Sequence, residues 1–315
     1  MVMTPGIEFI TSPSSFLSPS SCGCQKAREM ADTITNPPFV GIHNFRDVGK
    51  VINALNQGKT PIRIREGILL RSGRLDGATH ADTQLLIEQY RLKTVIDLRT
   101  KSEHVKRQEV LKNTDKVDVG RWGTVKIHFI GRTFENHLFR QLTWWQAIWF
   151  ILLMLIQRRM AAIRIVGQNV MRPRGLIGLS KDSLQFCQDE ISQASAISAL
   201  QVYLDPQAYP VLVHCTQGKD RSGLVVMLVL FILGVPVEFV KEDYVLSDKG
   251  LERIRKSMLV EVFEIGMDET YTRAPEEVVD AVWKYLQEGG GVDAYLDGIG
   301  FGHLKRQKLR EILLE

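Results

Sequence analysis

The chain has 315 residues, 44% apolar and 24% charged, and its 40 Lys+Arg against 36 Asp+Glu leave a formal charge of +4. That length allows one large domain with a real core or two small ones. This mild basic excess gives no argument for a nucleic-acid partner, and none is expected; it is compatible with an anionic substrate or a membrane surface. Four cysteines, Cys22, Cys24, Cys187 and Cys215, form neither a disulfide framework nor a zinc-finger spacing.

Residues 1–37 are rich in Ser, Pro and Thr (TSPSSFLSPSSCGC at 11–24) and predict a disordered tail, with too little apolar surface to offset ordering. Cys22 and Cys24 read there as exposed thiols rather than acylation or metal sites. The start lacks a basic segment followed by a sustained apolar run, so no secretory signal is expected.

Residues 38–315 carry a globular pattern. GILLRS (67–72) predicts a strand, and Thr79 caps a helix bearing Leu85, Leu86 and Tyr90. TVIDLR (94–99) predicts a buried strand, 101–111 a helix and TVKIHFI (124–130) another strand. This alternation predicts an α/β domain with a mostly parallel central sheet flanked by helices.

The most apolar stretch is LTWWQAIWFILLMLI (142–156), with Arg140 before it and Arg158 and Arg159 after it. A helix of that length reaches ~22 Å, short of the ~30 Å hydrocarbon core of a bilayer. It reads as a core helix or lid, the alternative being a surface that touches lipid. Ser180 predicts the cap of a helix running to about 202, which Tyr209-Pro210 ends. VLVHC (211–215) is an apolar strand, and 222–233 a buried helix stopped by Gly234 and Pro236. Helices are expected over 236–246, 247–264, 275–288 and 303–314, with Pro275-Glu276-Glu277 as a start and Gly289-Gly290-Gly291 as a stop.

The chemistry concentrates in VLVHCTQGKDRSG (211–223), which runs strand, short loop, helix. Such a junction turns successive backbone N–H groups into one concavity, and the helix dipole adds positive potential there. Cys215, at the helix N-terminus and near a cation, is expected to be a nucleophilic thiolate. Arg221 offers a planar fork for two phosphoryl oxygens. The hydroxyl of Ser222 can donate to sulfur as it leaves. Gly218 permits the turn, and the loop residues Thr216, Gln217 and Gly218 line the anion site. Lys219 adds charge at its rim. His214 orients the loop rather than acting as a base, and Gly223 lets the helix approach the strand.

HCTQGKDRSG resembles the signature loop of protein tyrosine phosphatases, and its GKDR variant resembles a branch of tyrosine/serine phosphatases in bacteria and fungi, some acting on phosphoinositides. NFRDVG (44–49), LLRSGRL (69–75), VIDLRTKSE (95–103) and the segment 275–296 fit the same branch. The resemblance spans about 38–300. It implies a single phosphatase domain with no metal, a phosphocysteine intermediate, and often a helical lid, for which 142–166 is the candidate.

The leaving group needs a proton. Asp220, Asp97 and Asp243 are the candidate acids, and the resemblance favours the first two. Asn44, Arg46 and Asp47 read as a cluster whose Arg–Asp pair braces the loop. Cys187 reads as inert, the alternative being a protective disulfide with Cys215. Expected substrates are phosphoproteins or phosphoinositides, with peripheral membrane contact as the companion of the second. A free nucleophilic thiol implies a reducing, cytoplasmic setting.

Overall fold

The computed structural model describes residues 39–104, 122–191 and 198–315. The expected tail 1–37, with Cys22 and Cys24, lies outside these residues, as do 105–111 of the helix expected from 101; residues 101–104 are helical.

Five strands form one sheet: β1 (Arg46–Asp47), β2 (Leu69–Ser72), β3 (Thr94–Asp97), β4 (Gly123–Lys126) and β5 (Val211–His214). Their spatial order is β1-β2-β5-β3-β4, with β1 antiparallel to β2 and every other pair parallel. The central strands β2, β5 and β3 are buried at nearly every residue because helices cover both their faces. Side chains alternate across them. Leu70, Val95 and Leu212 enter one apolar cluster with Phe39, Phe45 and Leu86, while Leu69, Ile96, Val211 and Val213 enter the larger cluster opposite. The register sets Ser72, His214 and Asp97 side by side at one sheet edge.

Helices α1 (Val48–Asn56), α2 (His80–Glu88), α3 (Arg132–Arg140), α4 (Trp144–Leu155), α5 (Arg159–Val166) and α6 (Arg172–Phe186) precede β5. Thr79 caps α2 as expected, exchanging hydrogen bonds with Asp82 in a capping box. After β5 come α7 (Arg221–Ile232), α8 (Val237–Gly250), α9 (Arg255–Glu264), α10 (Glu277–Glu288), α11 (Val292–Gly298) and α12 (His303–Leu313). Every residue of α7 from Ser222 to Ile232 is buried, so it is the central helix of the larger cluster. Each of its fully buried Val and Leu side chains contributes roughly 1.5–3 kcal/mol.

Four expectations need correction. The strand expected over 124–130 ends at Lys126, because Ile127 and Phe129 turn into the core. Ser180 is not a cap: it lies inside α6 and its hydroxyl donates to Leu176 O at 2.8 Å. The break falls at Gly175, with φ +63°. Ser247 starts no helix, because α8 runs on to Gly250 and the Ser247 hydroxyl accepts from Arg46 Nη2 at 3.1 Å. Finally, α4 is not a core helix, since none of its residues is buried. Among the described residues, no helix is long and apolar enough to cross a membrane.

Candidate active site

Cys215 directly follows β5 and Arg221 opens α7, so the loop 216–220 sits at the C-terminal edge of the parallel strands. Its carbonyls are held from one side. Thr216 O accepts from the Arg74 amide at 3.1 Å, Gln217 O and Gly218 O accept from Asn44 Nδ2 at 3.1 and 3.0 Å, and Gly218 O also accepts from Arg71 Nη2 at 2.9 Å. In a trans peptide the N–H opposes the C=O. The amides of Gln217, Gly218 and Lys219 therefore face the other side together, which is the arrangement an anion nest requires. Cys215 is 2% exposed, and its Sγ lies 3.5 Å from Ser222 Oγ.

Gly218 is required twice over. Its φ is +70°, and a Cβ there would lie 2.1 Å from Ser72 O. Gly218→Ala is expected to cost about 3 kcal/mol or more, from strain plus a backbone clash. A thermal or denaturant melt within about 1 kcal/mol of the parent would contradict this reading.

Beneath the loop lies a buried ionic cluster. Asp243 accepts from Arg46 Nε at 2.8 Å and from Arg71 Nη1 at 2.6 Å, and Arg46 Nη1 donates to Asn44 Oδ1 at 2.6 Å. The expected brace therefore exists with a different acid. Arg46 pairs with Asp243, while Asp47 caps α1 and accepts from the Gly67 amide at 2.6 Å. Burial and Arg46 pull Arg71 down to about 10 against the opposing pull of Asp243, leaving it a cation at neutral pH. Burial alone would raise the Asp243 carboxyl, but the two guanidinia outweigh it and hold it below its ordinary value. A carboxylate so committed cannot serve as the proton donor. The space beside Gly223 is filled by the Arg71 guanidinium and the Tyr244 ring, which would lie 3.2 and 3.3 Å from a Cβ at that position, rather than by strand backbone.

Asp97 is likewise committed. It is 2% exposed and gripped by Arg99 through Nε at 2.9 Å and Nη2 at 2.8 Å. Burial raises its carboxyl, yet the Arg99 hydrogen bond and the His214 and Arg99 charges prevail and bring it to about 2. Asp97 as general acid is thus corrected: a group ionised down to that pH holds no proton to give. Its depressed value stabilises the fold above about pH 4, and that contribution is lost as pH falls through about 2. The stability gap between the parent and Asp97→Asn should shrink by about 2 kcal/mol across that window. A gap independent of pH there would rule this out. His214 is 2% exposed, packs 3.7 Å from Asp97 and lies 3.2 Å from Cys215 O. Burial lowers its basicity.

Arg221 meets a residue to which the sequence motifs assign no role. Its Nη1 and Nη2 donate to Glu103 Oε2 and Oε1 at 2.7 and 2.6 Å, and Nη1 also reaches Leu98 O at 3.1 Å. Glu103 further accepts from the Thr216 hydroxyl and from Thr100 N at 2.8 Å. Burial pushes the Glu103 carboxyl up, but Arg221 and these hydrogen bonds hold it well below the carboxylate range. The signal was present in TKSE, where Thr100 and Glu103 have capping-box spacing directly after a strand.

Lys219, expected at the rim, is fully buried, and its Nζ donates to Asp220 Oδ1 at 2.7 Å. Asp220 keeps a side chain 43% exposed, which makes it the open carboxyl of the three candidates. Cys187 is buried, and burial pushes its thiol far up, as for an inert cysteine. A cleft of about 230 Å³ opens beside the loop, walled by Thr216, Gln217, Arg74, Leu251, Met258 and Glu261. Gln217 Oε1 is buried there with no hydrogen-bond partner among the described residues.

A family model described as the tyrosine phosphatase family matches residues 37–315. The chain is similar to the triple specificity protein phosphatase PtpB of Mycobacterium tuberculosis, 26% identical over 127 residues, which are 33% of this chain and 44% of that protein. It is similar to the probable tyrosine-protein phosphatase DG1060 of Dictyostelium discoideum, 29% identical over 111 residues, 35% of this chain and 63% of that one. A shorter match, 35% identical over 68 residues, links it to the inositol diphosphatase DSP4 of Arabidopsis thaliana, covering 22% of this chain and 34% of that protein. The chain thus spans less than two thirds of each of these relatives.

Proposed function

The chain belongs to the tyrosine phosphatase family, and from that premise we propose that it hydrolyses phosphate monoesters through a phosphocysteine on Cys215. The observation that carries this is the loop itself: a buried sulfur at a helix start, beside carbonyls all drawn to the opposite side and a guanidinium held by Glu103. A phosphate dianion seats on the amides of the loop, with Arg221 closing over its oxygens. The Cys215 thiolate attacks phosphorus, the S–P bond forms, and the P–O bond to the leaving group breaks. Asp220, the one candidate acid left open to solvent, delivers its proton to that oxygen. Water then attacks phosphorus and gives a proton back to Asp220. The S–P bond breaks, and the Ser222 hydroxyl stabilises the departing thiolate.

One domain over 38–315, with 142–166 as a helical insertion, fits this reading, as does a reducing compartment such as the cytoplasm. Phosphotyrosine is the leading substrate, with phosphoserine and phosphothreonine beside it. The apolar wall of Leu251 and Met258 in the cleft suits an aryl group. The name of DSP4 brings in a phosphoinositide as the second substrate class. Burial of Lys219 removes one cation from the rim that would have favoured it.

The purified chain is expected to release phosphate from p-nitrophenyl phosphate with a chelator present. Asp220→Asn should slow phosphoserine peptides, whose alkoxide leaving group needs the proton, by roughly 10²–10³-fold. It should slow p-nitrophenyl phosphate, whose phenolate leaves unaided, far less. Equal losses on both substrates would remove Asp220 as the acid.

A further inference from the structure

The helical hairpin α4–α5 points to an activity separate from hydrolysis. Along α4, only Gln146, Ala147, Phe150 and Leu153 are partly covered, and Phe150 packs edge-on against Phe139. The remaining face is apolar and open. Trp144 is 64% exposed, Trp145 and Trp149 58%, Leu155 71% and Ile156 65%. Positions 145, 148, 149, 152 and 156 recur at helical spacing, so Ile148 and Leu152 join Trp145, Trp149 and Ile156 in one continuous stripe.

Within the segment that carries this stripe the charges have a single sign. From residue 136 to 181 the sequence contains no Asp or Glu, whereas Arg140, Arg158, Arg159 and Arg164 border the hairpin and are exposed. A second copy of the same face would set this basic rim against itself, with no acid in the segment to pair it. An anionic lipid surface complements it, and Trp at such a border sits between headgroups and chains. The twelve residues of α4 reach ~18 Å, too short to cross a bilayer core but suited to lying in its interface.

We propose that the α4–α5 hairpin docks the protein on membranes carrying anionic phospholipid, with the Trp144–Ile156 stripe in the interface and the arginines on the headgroups. The docked face adjoins the site, since Arg159 Nη2 donates to Ser102 Oγ at 3.2 Å, one residue from Glu103. Docking itself does not depend on the proposed chemistry.

Co-sedimentation of the full chain with vesicles tests this directly. Vesicles of phosphatidylcholine with about 30 mol% phosphatidylserine should retain the protein, and about 0.5 M salt should weaken retention by screening the arginines. The Trp144→Ala/Trp145→Ala/Trp149→Ala variant should bind at least ~10-fold more weakly at an unchanged melting temperature, because its side chains are exposed. Arg158→Glu/Arg159→Glu should lose binding to the anionic vesicles. The proposal is overturned if the parent ignores these vesicles, or binds pure phosphatidylcholine equally well. A triple-Trp variant that binds like the parent also overturns it. So does a parent dimer, seen by light scattering, that the triple variant converts to monomer without any vesicle binding in either form.

Discussion

Cys215→Ser is expected to abolish turnover of p-nitrophenyl phosphate, by roughly 10⁴-fold or more, while leaving phosphate binding in place. The sulfur supplies the attacking electron pair; a serine hydroxyl at the same position is protonated at neutral pH, and neither His214 nor Asp97 is free to act as its base. His214 is buried with lowered basicity, and Asp97 is committed to Arg99. In the proposed site the anion seats on the amides of Gln217, Gly218 and Lys219, whose orientation follows from the hold of Arg74, Asn44 and Arg71 on the loop carbonyls, none of which the substitution touches. Binding of vanadate or phosphate, measured by calorimetry, should therefore survive. Retained turnover in the serine variant would end the phosphocysteine reading.

Arg221→Lys is expected to lower kcat/KM by roughly 10³-fold, or about 4 kcal/mol of transition-state stabilisation. In the native chain both Nη groups engage Glu103 end-on at 2.7 and 2.6 Å. In the proposed mechanism the same planar group is anchored there and meets the anion along its Nε edge. An ammonium has no second edge, so it can neutralise Glu103 or approach phosphate, but cannot span the two in fixed geometry. The fall should appear mainly in kcat, since charge on the equatorial oxygens is greatest in the transition state. A near-parental kcat in the lysine variant would show that Arg221 serves the fold rather than the anion.

Local chemistry along the chain was enough to locate the strand–loop–helix at 211–223, because every part of it is contiguous: an apolar run, a glycine needed for a positive φ, and a helix start within thirteen residues. The parallel core strands and the helices expected over 275–288 and 303–314 were legible for the same reason, since hydrophobic period is a local property. The short α11 escaped, having too few turns to display a period.

What only the folded chain decided is pairing at a distance. Arg46 chose Asp243, 197 residues away, over its neighbour Asp47, because the cluster beneath the loop is dry and rewards the acid that reaches two guanidinia at once. Glu103 reached Arg221 across 118 residues through the register that sets β3 beside β5. Asp97 and Asp243 lost their claim as acids to their burial and partners, which no spacing reveals. In the same way, the greasy segment after Thr143 proved to be outside rather than within, since composition states how apolar a helix is and not what lies against it.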